Sequence, residues 1–126
     1  MIFAKWVFRL AGIYGLLVLA PMYFMEKQIN LDYPPAITHP EHFYGFIGVG
    51  VAWQLAFLVI AANPSRFRTM MLPAVVEKFT YAFAVLVLYA QERVAPMILS
   101  FGLVDLALGI LFVVAYLRTP SAFAAE

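Results

Sequence analysis

The sequence predicts an all-α, polytopic integral membrane protein: an antiparallel four-helix transmembrane bundle forming one domain. Three observations predict it. Four long apolar runs fill most of the 126 residues. The chain is 65% hydrophobic and 12% charged, with a mean hydropathy of +0.91. A soluble domain is about half apolar and about a quarter charged, and a core this small cannot hide the excess, so lipid is the expected solvent. Finally, Lys and Arg are distributed unevenly between the two ends of the runs.

A spanning helix needs about 20 apolar residues. The first run, 3–25, carries Lys5 and Arg9 one turn apart near its start, where both can snorkel to the surface. Its end, Leu19-Ala20-Pro21-Met22, has no small-x-small cleavage pattern, so a membrane helix is expected and not a signal peptide. Segment 26–41 is polar and contains Pro34, Pro35 and Pro40, which predicts a loop. The second span, 42–62, stops at Asn63-Pro64-Ser65. The third, 69–90, has Pro73 in its first turns and ends in the polar turn Gln91-Glu92-Arg93. The fourth, 94–117, tolerates Pro96 near its start and stops at Arg118-Thr119-Pro120. A frayed tail is expected beyond it.

An even number of spans places both termini on one side. That side holds Lys5, Arg9, Arg66, Arg68 and Arg118, against only Lys27 and Arg93 on the other. Both termini are therefore expected to be cytoplasmic, in a membrane such as the bacterial inner membrane. Trp6, Tyr23, Phe43, Tyr44, Tyr89 and Tyr116 fall near span ends, as an aromatic belt requires.

Within lipid, helices associate through small residues and buried polar contacts. Each span offers a small-residue stripe: Gly12 and Gly15; Gly45, Gly48, Ala52 and Ala56; Ala74 and Ala82; Gly102 and Gly109. The last two stripes carry Lys78 and Asp105 between their small residues, so both charges should face into the bundle. The second stripe exceeds what a short bundle needs. It is expected to receive a homo-oligomeric copy or another membrane protein on Gly45, Gly48 and Ala52, with Gly102 and Gly109 as further packing positions.

A rise of about 1.5 Å per residue puts Gln54 and Asp105 roughly 15–18 Å from the outer ends of their spans, with Glu77 at a similar level. Tyr81 lies one turn from Glu77, and Tyr14 is near. Insertion of three unpaired ions at that depth costs on the order of 8–10 kcal/mol, so they must be paired, neutralised or hydrated. The simplest arrangement pairs Lys78 with Asp105 and leaves Glu77 to Gln54, Tyr81 or water. An intramembrane ionisable residue marks a functional site by default. The plainer alternative is an inert pair that fixes helix register.

The other chemistry is sparse. His39-Pro40-Glu41-His42 offers two imidazoles and a carboxylate of the kind that bind Zn, but lacks the fourth ligand of a closed site; it is read as a loop opening the second helix, and no metal is expected. Both histidines sit at the rim, which argues against haem held between spans. There is no cysteine, phosphate-cradling loop or nucleophile elbow. A net charge of +1 argues against nucleic acid. No cofactor is expected.

Three patches carry a family resemblance: Ala20-Pro21-Met22-Tyr23-Phe24-Met25-Glu26, Trp53-Gln54-Leu55-Ala56-Phe57, and Arg68-Thr69 with Pro73-Ala74. Together they resemble the EXPERA group of four-helix membrane proteins, the emopamil-binding protein and sigma-2 receptor type. The resemblance implies a bundle with a lipid- or sterol-sized pocket lined by buried acids. Gln54 is the residue that matches a pocket position. The chain departs from the group at residues 49–52, where an acid is expected, and in its shorter first loop.

The function expected from these observations is that of a small non-catalytic membrane protein. It binds a lipophilic small molecule, or joins a larger membrane complex, through the cluster of Gln54, Glu77, Lys78, Tyr81 and Asp105. The alternatives are an EXPERA-like isomerase using Glu77 or Asp105, and a proton-coupled carrier.

Overall fold

The computed structural model describes residues 2–121, and the expected frayed tail at 122–126 lies outside them. The described chain is helical: α1 (Ile2–Leu19), α2 (Glu26–Asp32), α3 (Pro40–Ala62), α4 (Met71–Ala90) and α5 (Pro96–Arg118), with 3-10 turns at Ala20–Phe24 and Arg68–Met70. Four helical stretches are long and apolar enough to cross a membrane: Ile2–Phe24, Pro40–Ala62, Arg68–Ala90 and Pro96–Arg118.

The boundaries follow local chemistry. Proline opens α3 and α5 at the first turn, where its missing N–H costs nothing. α3 ends at Ala62 before Asn63-Pro64, because the residue preceding a proline avoids helical geometry. Asn63 then holds the turn, accepting the Arg66 N–H at its side-chain oxygen and the Phe67 N–H at its carbonyl. α4 closes differently. The Arg93 N–H reaches back to the Leu88 carbonyl and the Glu92 N–H to that of Tyr89. That pair of bonds defines a Schellman cap, with Glu92 at φ 58° in the left-handed position glycine usually takes.

The expected loop at 26–41 is corrected in its first half, which forms α2. The prolines come only at 34, 35 and 40, so two turns fit ahead of them. Gln28 donates to Asp32 one turn on, and the Tyr44 hydroxyl donates to Glu26, tying α2 to α3. Asn30 accepts the Ile37 N–H as the chain turns back. α3 also starts two residues before the expected 42, and α5 two after the expected 94, each at its proline.

α1 packs along α3, α4 along α5, and the two pairs join mainly through α1 against α5; α3 and α4 barely approach. The seam between the pairs is filled at one end. Phe8, Phe57 and Phe112 are fully buried there, Phe8 stacked on Phe112 at 4.2 Å and Phe57 edge-on to Phe112 at 5.0 Å. Ala4, Ala11, Ile60, Ala61, Met71, Ala74 and Ala115 complete this core. The same end gathers the start of α1, the end of α5 and the Arg68 turn: Arg118 lies over the Phe3 ring, and Arg68 stacks on Tyr116 while donating to its carbonyl. The outward faces carry Leu10, Leu17, Leu55, Val59, Val76, Phe83 and Ile110, all exposed.

The small-residue stripes divide into two kinds. Gly12, Gly15, Gly102 and Gly109 are buried seats: Gly12 abuts the Gln54 carbonyl and Leu58, Gly102 meets Val85, and Gly109 meets Phe79 and the Lys78 stem. In α3 the buried glycine is Gly50, against Leu19. Gly45 and Ala52 are exposed, and Gly48 faces the Tyr23 hydroxyl. The face that α3 turns inward is instead Ile47, Gly50, Gln54, Phe57 and Ala61.

Candidate ligand site

The polar residues singled out from the sequence converge where the aromatic core stops. α4 buries Met71, Ala74, Lys78, Ala82 and Val85 at three- and four-residue spacing, so a lysine occupies the centre of its buried stripe. Lys78 Nζ lies 3.3 Å from Asp105 Oδ1 of α5, donating to it, and 3.7 Å from Glu77 Oε2. Its ammonium also sits 5.2 Å from the centroid of Phe57, the top of the aromatic core. Lys78 is 3% exposed, whereas Glu77 and Asp105 keep 22% and 15% of their side-chain surfaces. The cation is thus buried and shared, and its two carboxylates remain reachable.

Gln54 approaches from the α1–α3 pair. It is 1% exposed, and its Nε2 donates to the Gly50 carbonyl one turn back at 2.9 Å. Its Oε1 presses against Gly15, a contact only glycine allows, and has no hydrogen-bond partner among the described residues. Glu77 Oε2 is likewise without one. A buried acceptor left unsatisfied costs about 1–3 kcal/mol. Both residues line the same cavity as the Lys78 ammonium, which lies 3.7 Å from Glu77 Oε2.

Above the cluster the helix pairs part around a cavity of about 950 Å³. Gln54, Glu77, Lys78, Tyr81 and Asp105 all line it, as does Tyr14. The walls are apolar: Val18, Leu19 and Met22 from α1 and the turn after it, Phe43 and Phe46 from α3, and Ile98 and Phe101 from α5. α2 and residues 33–35 form the far boundary, together with Glu92 and Arg93. The space lies at the upper end of the roughly 300–1,000 Å³ usual for small-molecule pockets, and it pairs apolar walls with a few convergent polar groups, as such pockets do.

Sequence reasoning reached the polar end of this cavity and missed its walls. Phe43, Phe46, Gly50 and Gln54 recur at helical spacing, and that signal could have extended the Gln54 face toward the cavity mouth. Nothing in the sequence marks Ile29 and Asp32 of α2, because a polar stretch followed by Pro34 and Pro35 has the pattern of a loop. His39, Glu41 and His42 are exposed at the head of α3, apart from the cavity lining, with His39 Nδ1 3.3 Å from Glu41 Oε1.

No family model matches the chain, and no curated protein and no solved structure matches it either.

Proposed function

We propose that the chain is an antiparallel four-helix transmembrane bundle with cytoplasmic termini that holds a lipophilic small molecule in the cavity between its helix pairs, without catalysing a reaction. The observation that carries this reading is the cavity itself: about 950 Å³ of mostly apolar wall ending on Gln54, Glu77, Lys78 and Asp105. An apolar body would lie along Val18, Met22, Phe46 and Phe101. A polar head would meet the carboxylates, which are the reachable charges of the cluster. The apolar outward faces of the helices support placement in a bilayer, and the Lys and Arg clustered at one end support cytoplasmic termini. Glu77→Gln keeps the side-chain shape and leaves the Lys78–Asp105 bond in place. It is expected to leave the melting temperature of the detergent-purified protein unchanged and to lower the amount of small lipophilic molecule that co-purifies. Solvent extraction and mass spectrometry measure that amount. A wild-type protein that carries no stoichiometric molecule would defeat the reading.

The EXPERA-like isomerase is the second reading, favoured by Glu77 and Asp105 both bordering the cavity. It requires turnover of a bound substrate, lost in Glu77→Gln, where the binding reading requires retention only.

Partner docking on α3 belongs to the same proposal. A Cβ at Gly45 would meet nothing within 4 Å, so Gly45 presents open surface, and Ala52, two turns further along α3, is also exposed. Gly45→Leu therefore tests docking without disturbing the bundle. Loss of a dimer or of a bound subunit in light scattering is the expected result, and an unchanged assembly would remove this face from the proposal.

A further inference from the structure

The short run at the head of α3 gains from the fold what its spacing alone did not supply. One ligand atom from each of His39, Glu41 and His42 lies within 4.8 Å of the other two. His39 Nδ1 and Glu41 Oε1 are 3.3 Å apart, and the two imidazole centroids are 5.2 Å apart. Zinc bonds to nitrogen and oxygen of about 2.0–2.2 Å, arranged tetrahedrally, place neighbouring ligand atoms roughly 3.3–3.5 Å apart. One edge of that tetrahedron is already close to length. The others close by rotation of exposed side chains.

The backbone beneath is fixed. Pro40 holds φ at the first helical residue, and the His42 and Phe43 N–H groups both donate to the His39 carbonyl at 3.0 and 3.2 Å. Two imidazoles with one carboxylate suit zinc and its neighbours; calcium and magnesium prefer all-oxygen sets. Three protein ligands leave a fourth position for water, as in open zinc sites. The Glu41 carboxylate also offsets the positive helix end, which would otherwise repel a cation.

We propose that His39, Glu41 and His42 bind one divalent transition-metal ion of the zinc type at the head of α3, outside the lipophilic cavity. The site does not depend on a ligand in that cavity. The test titrates the full-length, metal-stripped protein in detergent with Zn²⁺ by calorimetry, and with Co²⁺ by visible absorption. One ion per chain is expected, with a Co²⁺ band indicating tetrahedral coordination by nitrogen and oxygen. His39→Ala and His42→Ala should each weaken binding by more than the ~10–100-fold that loss of an indirect partner costs. Glu41→Gln should weaken it by a smaller factor. All three residues are exposed, so the metal-free variants should keep the wild-type melting temperature. Wild-type binding no tighter than that of a His39→Ala/His42→Ala double variant would overturn the site, as would a Co²⁺ spectrum unchanged by either substitution.

Discussion

Lys78→Met is expected to destabilise the protein by about 3–5 kcal/mol, the usual cost of stranding a buried charge without its partner. The reason is geometric. Lys78 Nζ serves Asp105 at 3.3 Å and Glu77 at 3.7 Å, so its loss leaves two carboxylates on the cavity lining without the cation they share. Asp105→Leu should cost less, because Glu77 remains within reach of the ammonium. A smaller loss for Asp105→Leu is what sharing with Glu77 predicts. The double change Lys78→Met/Asp105→Leu should recover part of the loss, since it removes the Asp105 charge along with its partner, while Glu77 remains without its cation. The coupling energy from this cycle is read from denaturation of the four proteins under one detergent condition. Additive losses would mean that the two residues stabilise the fold independently and would dissolve the shared cluster.

Much of this cluster was legible in the sequence because a helix converts spacing into direction. Ala74, Lys78 and Ala82 lie four residues apart, as Asp105 lies three from Gly102 and four from Gly109, and small neighbours mark a face that packs. The lysine does lie on the buried face of α4, and it does reach Asp105. The same rule is less decisive for α3. Its glycines and alanines lie on more than one face, so Gly45 and Ala52 look as suited to packing as Gly50 does. Which of them is seated depends on where Leu19 and Gln54 sit, a tertiary fact that periodicity does not contain. α2 was hidden for a different reason: a polar stretch followed by prolines reads as a loop, and its helix is held by Tyr44, eighteen residues away from Glu26. The cavity, which the family resemblance implies, is absent from residue spacing for a third reason. It exists because α3 and α4 stand apart while their neighbours pack closely, and a gap between helices has no sequence pattern of its own.

Gly15→Ala should destabilise the protein by about 1–3 kcal/mol, the cost of forcing an extra methyl into a packed site. The sign is the informative part. Within a helix, alanine is ordinarily favoured over glycine by about 1 kcal/mol, so a neutral site would gain. At residue 15 the added Cβ would collide with the Gln54 side-chain amide, which is buried and held by its bond to the Gly50 carbonyl. Either α1 must move away from α3, or Gln54 must leave that carbonyl and swing toward the cavity. Both outcomes disturb the polar cluster, so ligand retention should fall together with stability. A second substitution separates these effects. Gln54→Ala removes the colliding amide, so Gly15→Ala/Gln54→Ala should be more stable than Gly15→Ala alone. Gly45→Ala supplies the reference, since its Cβ would meet nothing within 4 Å and only the helix preference remains. Chemical denaturation of the four variants checks the order. If Gly15→Ala stabilises as Gly45→Ala does, α1 and α3 are not in the close contact that sets Gln54 at the floor of the cavity, and the site must be redrawn without it.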